Sequence, residues 1–377
     1  MSAAPLRTWL EISGPALRAN VATLRKQVGV EPGLIAMVKA NAYGHGMIPV
    51  ARELLNTGEI AALGVADIDE LRALRAARIE TPVLLCSAAL PGEMGEIVAL
   101  RGQPTLSTLA EAKHLNTAAR QAGTVAAAHF KLDTGMGRLG LPAAEAATAL
   151  RAILRLPHLR IVALYTHCAR ADDNGGFTRK QAALFAAWRE NFPGFPWHLA
   201  NSAAILGDPA FHGDFVRPGL ALYGLPPRPE DKAHLRPVMT WKTRITLLRR
   251  AAKGTTVSYG GTYRLPQPQT LATLAVGYGD GYPRVLSNRA EVLLGGKRCP
   301  VRGRVTMDQI IIDASTVPAA KVGTEVVLLG QQGKQEITAD ELAHLAGTIN
   351  YEIVTGTSDR LPRLYRGFKA LPPRPPS

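Results

Sequence analysis

The sequence predicts an α/β protein, a (β/α)8 barrel followed by a mostly antiparallel β domain. Three observations carry that prediction. From about residue 33 to 220, short β-rich runs alternate with Ala/Leu/Arg-rich helical stretches, and such alternation implies a parallel sheet. Leu225-Pro226-Pro227-Arg228-Pro229-Glu230-Asp231-Lys232 is proline-rich and charged, as a linker is. From about Met239 onward the runs are short, β-branched and punctuated by glycine, the texture of an antiparallel β domain.

In chain order, the candidate barrel strands are 34–38, 62–65, 83–85, 105–107, 127–132, 161–166, 197–200 and 215–217. Helical patterns follow at 68–77, 109–122, 143–154 and 177–188. Asp67, Ser107-Thr108 and Pro142 mark starts, because such residues cap a helix or open its first turn. Eight units within about 190 residues make a compact closed barrel. An open doubly wound sheet is the alternative, but no GxGxxG follows any strand. The later strand runs are 244–248, 270–276, 290–294, 309–312 and 325–329, with one helical pattern at 339–346. The expected division is a barrel over 13–236, a β domain over 237–370 and a frayed tail at 371–377. A strand at 6–12 is able to join the β domain. A chain of 377 residues exceeds what one core usually holds, which agrees with two domains.

Composition narrows the function classes. At 46% hydrophobic and 20% charged, the chain is globular rather than disordered. No apolar stretch is long enough to span a bilayer, so no membrane partner is expected. Residues 1–7 lack a basic region, apolar core and cleavage site, which makes a cytoplasmic location the expectation. Cys86, Cys168 and Cys299 are scattered and odd in number, against a disulfide framework or a thiolate zinc site. The net charge of +14 is spread along the chain without a basic block. It therefore implies attraction for anionic ligands and no specific nucleic-acid partner.

Lys39 is the most informative residue. It ends the apolar run Leu34-Ile35-Ala36-Met37-Val38 and opens a turn of small residues, Ala40, Ala42, Gly44 and Gly46. A poorly hydrated lysine is easier to deprotonate, and a neutral amine can form a Schiff base with an aldehyde cofactor. A lysine that merely exits a strand into water is the plain alternative. The other strand ends decide between them, because chemistry in such barrels sits at the C-terminal mouths. Lys131 ends the fifth strand, followed by Asp133-Thr134-Gly135-Met136-Gly137-Arg138. His167 ends the sixth, Asn201-Ser202 the seventh and Arg217-Pro218-Gly219-Leu220 the eighth. Each has a structural reading: a core histidine, a helix cap, half of an ion pair. Their coincidence at one rim favours a site. Ser202 at a helix start, with the Gly219 and Leu220 amides, suits an anion. A Schiff-base lysine opposite a phosphate cradle points to pyridoxal 5'-phosphate.

These segments resemble the alanine racemase family from about Thr8 to Tyr365. The resemblance is carried by Val38-Lys39-Ala40-Asn41-Ala42-Tyr43-Gly44-His45-Gly46 and Lys131-Leu132-Asp133-Thr134-Gly135-Met136-Gly137-Arg138-Leu139-Gly140. His198-Leu199-Ala200-Asn201-Ser202 and Arg217-Pro218-Gly219-Leu220-Ala221-Leu222-Tyr223-Gly224 extend it. So do Val257-Ser258-Tyr259-Gly260, Val276-Gly277-Tyr278-Gly279-Asp280-Gly281, Met307-Asp308-Gln309 and Tyr351-Glu352-Ile353. It implies an isomerase that interconverts L- and D-alanine, with Lys39 carrying the cofactor as an internal aldimine and serving as one base. Tyr259, from the second subunit of a homodimer with shared sites, is implied as the other. Arg217 is expected to face the pyridine nitrogen, and Tyr43, Ser202, Gly219, Leu220 and Tyr351 the phosphate. His167 and Asn201 belong to the cofactor set, with His167 linking Tyr259 to Arg217. Arg138 and the Met307 amide are expected to meet the substrate carboxylate, with Tyr278 and Asp308 along the approach. Lys131 matches a position that can be carbamylated. Cys168 after His167 and Thr306 before Met307 depart from the frequent pattern without touching this chemistry.

The implied chemistry is physically coherent. Two bases on opposite faces are the minimal means of inverting a carbon, and lysine and tyrosine both have ordinary pKa values of about 10. An arginine at the pyridine nitrogen does not give up its proton, so it weakens the electron sink and suppresses side reactions. An acid there would favour a decarboxylase of related fold, which stands as one alternative. A racemase for serine or a basic amino acid is another. A non-catalytic cofactor binder would have no use for Tyr259, and a nucleic-acid binder rests on charge alone.

Overall fold

A computed structural model describes residues 6–369, so the expected tail at 371–377 lies outside the described residues. The chain divides into two compact units. The larger contains Leu17–Ala42 and Met47–Arg236; the other contains the N-terminal residues to Ala16, Tyr43–Gly46 and Pro237–Phe368.

Strands are numbered along the chain. After β1 (Thr8–Ser13), the larger unit holds β2 (Gly33–Met37), β3 (Ile60–Val65), β4 (Val83–Ala88) and β5 (Gln103–Leu106). It continues with β6 (Ala126–Lys131), β7 (Leu159–Tyr165), β8 (Trp197–His198) and β9 (Phe215–Val216). These eight strands run β8-β7-β6-β5-β4-β3-β2-β9, all neighbours parallel. The remaining seam is bridged just past the strand ends, where Arg217 N–H donates to the Ala200 carbonyl at 2.9 Å. This is the expected barrel. Its core is built from Leu34, Leu63, Leu84, Phe130 and Leu164, all fully buried. Each such side chain contributes about 1.5–3 kcal/mol on burial.

Local sequence explains most helix starts. Asp67 accepts from the Asp69 and Glu70 amides ahead of the helix Ile68–Ala76. Thr108 and Glu111 form a reciprocal capping box for Leu109–Gln121, and Pro142 precedes Ala143–Ile153. The helix Met47–Leu55 had no local start signal, because its first amide is capped from a distance by Asn41 Oδ1 at 2.8 Å. The strands expected at 197–200 and 215–217 are only two residues long. Beyond His198 the chain turns to cap the helix Ser202–Gly207 with Asn201, and it leaves the ladder there.

The second unit is built on β10 (Met239–Ala251), followed by β11 (Thr256–Val257), β12 (Tyr263–Arg264), β13 (Gln269–Leu274), β14 (Glu291–Leu294) and β15 (Lys297–Pro300). Then come β16 (Ile310–Asp313), β17 (Glu325–Gln332), β18 (Gln335–Ile337) and β19 (Arg363–Arg366). β10 pairs antiparallel with β1, β13 and β17. β1 joins this sheet and also pairs with β19, a parallel pair within a mostly antiparallel sheet. Trp241 and Tyr282 fill its core. The expected helix Ala339–Ala346 forms, ends at Gly347 in the left-handed conformation, and is followed by a further short helix, Asn350–Thr355. Among the described residues, no helix is long and apolar enough to cross a membrane.

Candidate active site

Lys39 lies two residues beyond β2 and is half-buried, not sealed as the apolar run before it suggested. Behind it the backbone does something uncommon. Ala40, Asn41, Ala42 and Tyr43 all have φ between 52 and 55°, a full left-handed turn without glycine. Each such residue costs about 1–2 kcal/mol. The turn is held by Ala42 N–H on the Val38 carbonyl (2.8 Å) and by Asn41 on the Met47 amide (2.8 Å). Strain persists where surrounding structure over-determines it, and it clusters at functional sites.

Arg217 is the centre of the barrel mouth. It is 4% exposed, and its Nη2 donates to the Thr166 carbonyl (2.9 Å), the Leu199 carbonyl (3.2 Å) and His167 Nδ1 (3.0 Å). Its Nη1 donates to His198 Nδ1. A guanidinium only donates, so both histidine Nδ1 atoms are acceptors. His198 Nε2 therefore carries the proton and donates to His129 Nδ1 at 2.9 Å. His129 Nε2 in turn donates to Gln103 Oε1 at 3.0 Å. One cation thus fixes the tautomers of a chain running inward from the rim. Burial and then the Arg217 charge push His129 down to about 3, and push His167 and His198 well below the ordinary histidine value. All three are neutral imidazoles near neutral pH.

Lys131 is buried, with Nζ 5.3 Å from the centre of the Tyr165 ring. Burial, then Arg217 and Arg138, lower its amine to about 8. Asp133, which acts on it from nearby, has its carboxylate taken up by the amides of Gly135 (2.9 Å), Met136 (2.8 Å) and Gly137 (3.0 Å). Lys39, Lys131, Arg138 and Arg217 all act on the half-buried thiol of Cys86. This concentration of positive charge, with the Asp133 carboxylate already engaged by backbone amides, suits an anion. At the eighth-strand side, Ser202 Oγ accepts from the amides of Gly219 (3.0 Å) and Ala221 (3.2 Å), and its own proton remains to donate. A phosphate-bearing aldehyde fits this set: a primary amine at a strand exit, a cationic surround and a buried hydroxyl at a helix start. Asn201 caps that helix through Ala204 N–H at 3.1 Å, the structural role weighed for it.

The second unit gathers another group of the expected residues. Tyr278 N–H donates to the Thr306 carbonyl (3.0 Å) and Gly279 N–H to the Met307 carbonyl (2.8 Å), so these two loops lie together. Arg360 joins them through Asp280 and Asp308, each at 2.8 Å. Tyr259 is 71% exposed, Met307 55% and Tyr278 43%. Tyr43 and Tyr351 meet with ring centres 6.2 Å apart. The residues that sequence reading passed over are His129, Gln103 and Arg360, and His198 was seen only as part of a motif, without a role. One signal existed: His129 and Lys131 are two apart in β6 and so share its inward face.

A (β/α)8 barrel with a lysine just past a strand end, a cationic rim and an appended β unit fits a cofactor-dependent enzyme. The family model for the alanine racemase N-terminal domain matches residues 12–227, and that for the alanine racemase C-terminal domain matches 238–365. The chain belongs to the alanine racemase family of isomerases. It is 45% identical to the alanine racemase of Methylacidiphilum infernorum, over 96% of this chain and 93% of that one. The crystal structure of alanine racemase from Bacillus anthracis with bound L-Ala-P superposes with a TM-score of 0.89 at 34% identity, covering 97% of each chain. Alanine racemase from Bartonella henselae with covalently bound pyridoxal phosphate gives 0.88 at 29% identity, covering 96% of this chain and all of that one.

Proposed function

We propose that this chain interconverts L- and D-alanine with pyridoxal phosphate carried on Lys39. Carrying this reading is the buried Arg217, whose neighbours are imidazoles and carbonyls rather than a carboxylate. When bound, the cofactor draws electrons away from the substrate Cα and so makes its proton removable. Lys39 Nζ holds or releases that proton on one face. Tyr259 Oη does so on the other, supplied by a second copy of the chain in a homodimer; the exposure of Tyr259 supports this. Arg217 keeps the cofactor's ring nitrogen free of a proton, because a guanidinium does not surrender one. Ser202, Gly219, Leu220, Tyr43 and Tyr351 are assigned to the phosphate, Arg138 and the Met307 amide to the substrate carboxylate, and His167 and Asn201 to the cofactor's surround. Tyr278 and Asp308 border the substrate's approach. Lys131, lowered to about 8, is nucleophilic enough to take up carbon dioxide as a carbamate, an anion that would steady Arg138. The free thiols Cys86, Cys168 and Cys299 support a cytoplasmic setting.

Incubation with cofactor and either enantiomer of alanine, read by chiral chromatography, should end in an equal mixture. Loss of carbon dioxide, or no change, would overturn the proposal. Borohydride reduction should fix the cofactor mass on the Lys39 peptide, and mass spectrometry without acid treatment should find carbon dioxide on Lys131.

A further inference from the structure

We infer that Glu70 is a positioning residue for Lys39: its carboxylate holds the left-handed turn behind the cofactor-bearing amine. The inference rests on the reading of Lys39 given above. Glu70 stands at the start of the helix Ile68–Ala76, yet that helix already has its cap in Asp67, which takes the Asp69 and Glu70 amides at 3.1 and 3.2 Å. The Glu70 side chain turns elsewhere. Its Oε1 accepts from Ala40 N–H at 2.6 Å, and its Oε2 from Ala66 N–H at 2.7 Å. The Asn41 amide also bonds to this carboxylate. Ala40 follows Lys39 at the exit of β2, and Ala66 lies at the exit of β3, the adjacent parallel strand. One carboxylate therefore ties two strand exits together at the point where the backbone goes left-handed.

The chemistry requires a group with two acceptor oxygens. A glutamine would turn an NH2 toward one of the amides, and an aspartate is one carbon short of spanning both. Burial outweighs the amides of Ala66 and Ala40 and leaves the Glu70 carboxyl above the ordinary carboxylate value, and those N–H donors limit the rise. Ala40 and Ala42 prefer right-handed backbone. Without the clamp the turn relaxes toward it, and the Cα–Cβ bond of Lys39 is re-aimed.

Glu70→Gln tests this in the full-length protein, with and without pyridoxal phosphate. Amide hydrogen exchange at Ala40 and Asn41 in the cofactor-free protein should quicken about tenfold. Cofactor retention, followed by absorbance, should weaken by a similar factor, and kcat should fall with little change in KM for alanine. The melting temperature should stay within about 2 °C. Glu70→Asp should give an intermediate effect, and it provides the readout if the glutamine variant fails to fold. Unchanged exchange at Ala40 and Asn41 with wild-type cofactor retention would overturn the inference. So would uniformly faster exchange along Ile68–Ala76 with a lowered melting temperature, because that marks a helix cap only. Failure of borohydride to label Lys39 in the unmutated protein would instead sink the Lys39 reading, and the exchange result would stand on its own.

Discussion

Burial, and then the charge of Arg217, keep the neighbouring imidazoles neutral, and that has consequences for stability. His129 and His198 are buried, neutral and hydrogen-bonded in series behind it. In the unfolded chain each takes a proton below its ordinary value of 6.5, whereas folded His129 resists protonation down to about 3. The unfolded state therefore binds more protons in that window, and stability is lost as pH falls through it. The slope should approach about 1.4 kcal/mol per pH unit for each such histidine. His129→Phe should reduce that slope by one such increment. At pH 7 the same change should cost roughly 1–3 kcal/mol, because His198 Nε2–H loses its acceptor. Urea unfolding of both proteins between pH 4 and 7 checks both parts. Arg217 and His167 were legible in the sequence because they end strands where barrels keep their chemistry. His129 and Gln103 were not, because they sit deeper in β6 and β5, where a polar residue reads as ordinary strand.

At the scale of elements, the turn after β2 shows what local rules miss. Sequence reading saw there a turn of small residues after Lys39. The structure uses them to hold a left-handed backbone, and propensity alone does not foresee four non-glycine residues doing so. The long strands β6 and β7 were readable to within one or two residues, and the helix Ala339–Ala346 was read with its exact bounds. β8 and β9 were each read too long: the Asn201 cap draws the chain out of the ladder after His198, and Arg217 already turns toward the Ala200 carbonyl ahead of Pro218-Gly219. The turn is followed by Gly44 at φ 82°, where an added Cβ would meet the Val354 carbonyl oxygen at 2.1 Å. Gly44→Ala combines that clash with left-handed strain and should cost roughly 2–4 kcal/mol. Gly58 has φ 75° and nothing within 4 Å, so Gly58→Ala isolates the strain. It should cost about 1 kcal/mol. Thermal unfolding of the pair checks the difference; equal losses would mean that the contact with Val354 contributes nothing.

For the whole molecule, the proposed chemistry is divided between the units: Lys39 belongs to the barrel and Tyr259 to the β unit. In the head-to-tail dimer proposed above, each reaction centre would combine Lys39 of one copy with Tyr259 of another. That arrangement has a signature which a single-chain site lacks. Lys39→Ala and Tyr259→Phe should each be nearly inactive in racemisation as homodimers. In a mixed dimer, one centre carries both substitutions and the other carries neither. Random exchange of subunits puts half of the dimers in the mixed form, each with one intact centre of two. Mixing the two variants in equal amounts, with time for exchange, should therefore restore about a quarter of wild-type activity. Sedimentation of a tagged and an untagged variant confirms that exchange has occurred. If exchange is complete and activity stays at the level of the separate variants, Lys39 and Tyr259 act within one chain, and the partner copy has no part in the proton transfer.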